Sequence, residues 1–370
     1  MISGTAAATA GSASSRPPSA TANLRATVYE LDPLLDPRWE ALVGSDRRAS
    51  VFHGTSWLRA LQTTYGYDPL VITTSAPGSA LTNGLVFCRV NSWLTGKRFV
   101  SLPFADHCEP LVSSSSEMDD LLLRMRKFVD SGEWKYIEIR TTRSWPGNQS
   151  GFTKNATYSL HRLDLGRNAQ ELFRSFHKDC VQRKIRRAER ERLRYEEGTS
   201  ETLLQKFYGL LLITRRRQGL PSQPLSWFRE LITAFGNDLK IRLAAKDDMP
   251  VASILTLNHK KSMVYKYGCS DARFHKWGGV PFLFWNAIQD AKERGCEEFE
   301  MGRSDAHNLG LISFKKRWGT VRTELSYWTY PKRPAPHLSE RQMAILRRVV
   351  PFTPTFALRI AGNLFYRHAG

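Results

Sequence analysis

Apolar residues recur along this chain at two spacings, and the spacing changes from one segment to the next. RATVYEL (25–31) alternates as a strand does. Over Pro37–Arg47 the apolar positions Trp39, Leu42 and Val43 fall on one side of a helix. Thr55 is placed to cap a second helix carrying Trp57, Leu58 and Leu61. Three strand-like runs separated by turn residues follow: PLVITT, LTNGLVFCRV and KRFVSLPF. Met118–Val129 has helical periodicity, and YIEIR (136–140) is a strand. This α/β order with an antiparallel middle closes at the polar loop SWPGNQSG near residue 148.

The order then repeats. YSLHRLDL opens a second unit at Tyr158. A helical region over Ala169–Arg194, bent near Cys180, precedes a helix over Glu201–Arg217 and a short one over Trp227–Phe235. LKIRLAA, MPVASILTLNH and SMVYKYG form a meander joined by short polar turns. Pro281 suits the first turn of the helix FLFWNAIQDAKERG, which Gly295 ends. EEFEMG is a strand, Leu311–Arg317 a short helix and RTELSYWTY a last strand. The halves share topology rather than sequence. The expected division is a disordered leader (1–24), an N-terminal domain (25–157), a C-terminal domain (158–331) and a basic helical tail (332–370).

Composition narrows the functional classes. The chain has 370 residues, 41% of them hydrophobic, which suffices for two ordinary cores. Its 54 Lys and Arg outweigh 35 Asp and Glu by 19 charges. Such a balance points to anionic partners: nucleic acid, phosphorylated substrates, a CoA-like cofactor or an anionic membrane. Five scattered cysteines form no CxxC pair, which argues against a disulfide framework or structural zinc and suits a reducing cytoplasm. No apolar run reaches the ~18 residues that a membrane span needs. The tail carries seven Lys and Arg against one Glu, and packs as an arm or lies on a membrane surface.

Candidate chemistry gathers in three clusters. In GRSDAHNLGLISFKKRWG, a polar loop of Arg303, Ser304, Asp305, His307 and Asn308 leads into a helix with Lys315, Lys316 and Arg317 between Phe314 and Trp318. Cations shielded by aromatics on one side can hold a phosphate or polarise an ester carbonyl. A surface ion-pair cluster, with Asp305 capping the helix, accounts for the same residues. In HKDCVQRKIRRAERERLRY, basic residues including Lys184 and Arg187 recur every three or four positions, as either a solvated helix face or a phosphate-binding wall. In DARFHKWGGVP, Gly278 and Gly279 precede a helix, either as a simple strand-to-helix turn, which the loose spacing favours, or as a loop whose amides meet a pyrophosphate, as CoA would supply. No GxSxG elbow accompanies Asp305 and His307, so a hydrolase is disfavoured. Asp106, His107, Cys108 and Glu109 are four consecutive residues that cannot converge on one metal ion, and no metal site is assigned.

Taken in order, these segments resemble the FemAB-like branch of the GNAT-fold acyltransferases, also catalogued as BioF2-like acetyltransferase domains. The likeness runs from Arg25 to Tyr330 and rests on FHGTSWLRALQTTYGYDPLVI, KRFVSLPFADHCEPLV, QRKIRRAERERL, YKYGCSDARFHKWGGVPFLFWNAIQDAKERG and FEMGRSDAHNLGLISFKKRWGT. It implies two tandem GNAT-like domains of α/β (α+β) class, each a mixed, mostly antiparallel sheet flanked by helices. It also implies acyl transfer to an amine. Members of the broader group add amino acids from aminoacyl-tRNA to peptidoglycan precursors. Their Phe-Lys pair is similar to Phe314 and Lys315, which makes Lys315 the group that stabilises charge on the acyl oxygen. By the same resemblance Arg303, Ser304 and Asn308 line the cleft. Lys316, Trp318, Tyr267, Lys184 and Arg187 are further substrate-binding candidates, and Asp305 is the candidate base. The long helical insertion of tRNA-dependent members is missing, and so is a clear Arg/Gln-x-x-Gly-x-Gly/Ala loop for CoA. The expected donor is therefore acyl-CoA or aminoacyl-tRNA, with no tightly bound cofactor. The expected acceptor is an amine on a cell-envelope, polysaccharide or lipid-linked precursor. The expected location is the cytoplasm, with possible contact to the inner face of the membrane. A non-catalytic RNA- or membrane-binding module of the same fold is the alternative.

Overall fold

The structure, a computed structural model, describes residues 26–143, 151–333, 362 and 365–368. The expected disordered leader, most of the loop near 148 and most of the basic tail lie outside these residues. The N-terminal half runs β1 (Tyr29–Leu31), α1 (Pro37–Ser45), α2 (Thr55–Tyr65), β2 (Asp68–Thr73), β3 (Leu85–Val90), β4 (Arg98–Val100), α3 (Ser115–Asp130) and β5 (Ile137–Thr141). After β6 (Thr153–Asp164), the C-terminal half runs α4 (Ala169–Ser175), α5 (Arg183–Arg190), β7 (Arg194–Gly198), α6 (Glu201–Gln218), α7 (Leu225–Phe235), β8 (Leu239–Lys246), β9 (Met249–His259) and β10 (Ser262–Ser270). It ends with α8 (Gly279–Glu293), β11 (Glu298–Asp305), α9 (Leu309–Lys316) and β12 (Val321–Tyr330).

The strands form one sheet rather than two, in the order β1-β2-β3-β4-β5-β12-β6-β11-β10-β9-β8-β7. All neighbours are antiparallel except β4 with β5 and β10 with β11. The halves join through β6 and β12, which pair along Val321–Thr329. β12, the last strand in sequence, also pairs with β5 of the first half. The expected boundary at 157/158 therefore falls inside β6. One apolar core unites α1 and α2 of the first half with α6 and α7 of the second, and Trp57 packs edge-on against Trp227 at 5.2 Å. α4, α5 and α8 cover a separate core, and α3 covers a third. Burial of this kind is the main stabilising term for both halves.

Local chemistry explains where elements begin and end. Ser114 and Glu117 form a reciprocal capping box at the start of α3. Gly219, at φ 71°, ends α6 in the left-handed region. Thr55 is not a cap: it is the first residue of α2, and Gly54 precedes it with no side-chain cap. The bend near Cys180 is a π-turn over Lys178–Gln182, and the helical region stops at Arg190 rather than Arg194. The expected strand KRFVSLPF pairs only over Arg98–Val100, because Leu102 and Phe104 adopt φ of 63° and 60° and turn the chain across the sheet.

Candidate active site

β10 and β11 run parallel for three residue pairs, Ser262–Val264 with Glu298–Glu300, and then part. β10 continues beside β9 and β11 beside β6. The register shifts in both strands just past the parting, between Tyr265 and Tyr267 and between Glu300 and Arg303. Bulges re-aim side chains and interrupt pairing, which opens a gap in the sheet. Gly302 lies in the second bulge at φ 71°, and a Cβ there would be 3.0 Å from the Asp106 carboxylate. Only glycine fits both the backbone angle and that close approach.

Four charged side chains meet around this gap. α9 supplies Lys315, 2% exposed, whose Nζ donates to the carbonyls of Gly302 (2.7 Å) and Arg303 (2.9 Å). An ammonium has three N–H donors, so one is left for a further acceptor. The turned segment after β4 supplies Asp106, whose carboxylate accepts from Lys266 Nζ at 3.2 Å. Lys266 lies over the Phe52 ring at 5.0 Å, a cation–π contact. Tyr327 donates its hydroxyl to the Asp106 carbonyl (3.0 Å) and accepts from Arg303 Nη1 (2.7 Å). The Arg303 guanidinium is 4.4 Å from the Tyr158 ring centre.

Burial and charge act in opposite senses here. Burial lowers the Lys315 ammonium to about 8, although Asp106 and Glu300 pull the other way. Burial would raise Asp106, but Lys266, Arg303 and Lys315 outweigh it and hold the carboxylate below its ordinary range. Lys266 is lowered by burial, with Asp106 opposing. The result is an ionised carboxylate among three cations, two of them, Lys266 and Lys315, withdrawn from water and the third, Arg303, exposed, with a net positive field at the gap.

A second pair borders the first. His107 Nε2 lies 3.1 Å from Glu300 in a buried ion pair, and Arg162 reaches the same carboxylate at 3.1 Å. Burial disfavours charge on both partners, yet each offsets the other: His107 is raised and Glu300 lowered. These residues line a cavity of about 1080 Å³ between the halves, with Arg47, Arg143 and Lys261 among its other walls. His161 of β6 stands opposite the β11 bulge, 1% exposed, and neither ring nitrogen has a hydrogen-bond partner among the described residues. Burial, with Lys315 and Arg322 nearby, lowers it to about 4, so it is neutral at pH 7.

The residues singled out in the sequence divide between this gap and other places. Lys315 and Arg303 meet at the gap, and Phe314 packs edge-on against Phe284 beside it. Ser304 is buried next in strand to Arg303, and its hydroxyl has no partner among the described residues. Asp305 is exposed, and its carboxylate accepts from the His307 amide two residues on. The carboxylate that reaches the cations is Asp106 instead. Asn308 caps α9 by accepting from the Leu311 amide. Trp318 is fully buried in the second core and Tyr267 accepts from Trp227 Nε1 at 2.9 Å, so both serve packing rather than a cleft. Lys316 is exposed on a smaller cavity of about 430 Å³ with Arg317 and His177. Gly278, at φ 80°, abuts the Lys184 carbonyl closely enough to exclude any Cβ, and Gly279 opens α8 against Ala252. The phosphate-loop candidate and the basic helix thus come together at Lys184, whereas Arg187 turns to an ion pair with Glu191. Sequence reasoning missed Asp106, Lys266, Glu300, His107, Tyr158 and Tyr327. For Asp106 and His107 the signal was SLPFADHCEPLV, in which Asp106, His107, Cys108 and Glu109 diverge to four partners: Lys266, Glu300, His53 and Thr142.

Parallel strands that part to admit side chains, repeated once on each side of a continuous sheet, are the architecture of a tandem GNAT protein. Residues 175–316 match the family model described as an acetyltransferase (GNAT) domain. Among solved structures, FemX superposes with a TM-score of 0.64 at 14% identity, covering 84% of this chain and 97% of that one. A tandem GNAT protein from the clavulanic acid biosynthesis pathway gives 0.52 at 12% identity, covering 82% and 97%. A conserved protein of unknown function from Bacteroides thetaiotaomicron gives 0.51 at 13%, covering 82% and 99%. A search of curated proteins finds no match to the chain. Residues 175–316 are thus similar to a GNAT acetyltransferase domain, and the described residues have the tandem GNAT fold.

Proposed function

We propose that the protein transfers an acyl or aminoacyl group to an amine at the gap between β10 and β11. The observation that carries this reading is the buried Lys315 ammonium, fixed by two carbonyls with one N–H left over. A donor group held in place before the reaction stabilises developing oxyanion charge without reorganising, which is the main electrostatic route to acyl transfer. The acceptor nitrogen attacks the carbonyl carbon and forms the C–N bond. The carbonyl oxygen gains negative charge facing Lys315. Collapse breaks the C–S bond of a CoA thioester or the C–O bond of an aminoacyl ester. Asp106, kept ionised by its three cations, takes the proton from nitrogen and returns it to the leaving group. No covalent intermediate with the protein is required.

The donor is acyl-CoA or aminoacyl-tRNA, and its phosphates would lie toward Gly278, Gly279 and Lys184. The acceptor is an amine on a cell-envelope, polysaccharide or lipid-linked precursor, for which the cavity bordered by His107 and Glu300 offers room. The resemblance of the sequence motifs to FemAB-like proteins, some of which add amino acids to peptidoglycan precursors, supports the envelope assignment. The test supplies radiolabelled acetyl-CoA or charged tRNA with a panel of amines to the parent and to Lys315→Met. The parent should give a labelled amide, and the variant should lose about 10²–10³-fold in rate. Equal turnover by a folded Lys315→Met variant would remove this lysine from the reaction.

A further inference from the structure

We infer that the turn between β3 and β4 is a docking tip for an anionic lipid bilayer. This inference is independent of the acyl-transfer reading. Trp93 and Leu94, adjacent at the apex, are 86% and 62% exposed. Single exposed apolar residues are ordinary, but two large ones side by side at a protruding turn are not. The turn is held closed: Gly96 N donates to the Ser92 carbonyl (2.7 Å) and Thr95 N to the Ser92 hydroxyl (3.0 Å). The apex is thus pre-formed, which lowers the ordering cost of binding. The end of the chain joins it. The His368 ring stands edge-on to Trp93 at 5.5 Å, and its carbonyl accepts from Arg98 Nη2 at 2.8 Å. Phe365, three residues earlier in the same helical stretch, adds a second exposed ring at 53%.

Charge selects the partner. Lys97 and Lys135 stand at the root of the turn, and Arg367 is exposed beside His368. Lys135 lies directly over Gly96, where a Cβ would collide with it, and its Nζ donates to the Thr95 carbonyl at 3.3 Å. Glu133, 3.8 Å from Lys97, is the acid paired with this group. An apolar apex with Trp at its head and a cationic collar matches the acyl boundary and headgroups of an anionic leaflet. RNA would use the collar and leave Leu94 and Phe365 unexplained.

The test is vesicle co-sedimentation of the full chain, using phosphatidylcholine alone or with phosphatidylglycerol. Binding should require the anionic lipid. Trp93→Ala with Leu94→Ala should lower the partition constant by ~10-fold or more, from the apolar area withheld from the bilayer. Lys97→Gln with Lys135→Gln should lower it by ~5-fold per charge removed. Leu94→Asp, a single exposed change, guards against misfolding at Trp93 and should also release the protein. Undiminished binding by the apex variants would overturn the inference, because the tip would then have no part in it. So would an absence of vesicle binding with a concentration-dependent dimer that the apex variants abolish, which would make the tip a face for a second copy.

Discussion

The fold parts a parallel strand pair twice and fills the two gaps differently. In the first half, β4 and β5 run parallel for two pairs and then part, as β10 and β11 do in the second. The first gap is refilled by its own chain: Ser101 N donates to the Glu138 carbonyl and Cys108 N to the Arg140 carbonyl, both at 2.8 Å. Each gap also holds a cation that bridges two carbonyls. Arg140 Nη1 donates to Leu102 O and Ala105 O, both at 2.9 Å, much as Lys315 does to Gly302 and Arg303. The difference lies in what else the cation meets. Arg140 has Glu138 at 2.8 Å, whereas Lys315 has no carboxylate within 4 Å among the described residues. A guanidinium paired with a carboxylate is structural, and an ammonium with a spare donor and a lowered pKa is available for catalysis. The refilling segment also carries Asp106 into the other gap, so the closed copy completes the open one.

Arg140→Met gives the largest test of that contrast. It removes the donor to two carbonyls and leaves the buried Glu138 without its guanidinium, which should cost about 3–5 kcal/mol of stability. Denaturant unfolding measures the loss. The rate per folded molecule should stay nearer the parent than that of Lys315→Met. If both variants lose rate alike, the two gaps are one site and the contrast fails.

Asp106→Asn probes the link between the halves and should act on rate first. Losing a positioned base costs about 10²-fold or more. Lys266 would keep its aromatic surroundings but lose its anion, so some stability falls too. Single-turnover kinetics with a pre-bound donor separate the two effects. A rate unchanged in the folded variant would move the proton to another acceptor, with the unpaired His161 the next group to replace.

The sequence spoke clearly where periodicity alone decides structure, and less clearly where the gap lies. Helix and strand order was legible because apolar spacing is local. Lys315 stood out through the resemblance of Phe314–Lys315 to a Phe-Lys pair, since its basic neighbours alone fit a surface ion-pair cluster equally well. Asp106 was not, because its role depends on two positive-φ residues, Leu102 and Phe104, that turn an apparent strand across the sheet. Asp305 looked equivalent in sequence, yet its carboxylate is spent on a local turn. Trp318 and Tyr267 misled for the opposite reason: an aromatic beside polar residues in sequence can face the core in space. The exchange of β6 and β12 between halves was also hidden, since strand pairing at that distance leaves no periodic trace.

The smallest expected effect is the most specific. With its ammonium lowered to about 8, Lys315 should impose an alkaline limb on transfer, leaving the parent at about half its plateau rate at pH 8. Arg140 can impose none, because its guanidinium stays charged. Stability should move the other way. Above about 8 the folded chain releases this proton while the unfolded chain keeps it, so stability rises with pH until the unfolded lysine titrates as well. The stability of the parent relative to Lys315→Met should therefore rise through the interval in which its rate falls. Asp106 supports the Lys315 charge, so Asp106→Asn should shift the limb in its residual activity to lower pH. Alkaline unfolding would instead make rate and stability fall together, and a limb that keeps its midpoint without Asp106 would break the coupling drawn between the halves.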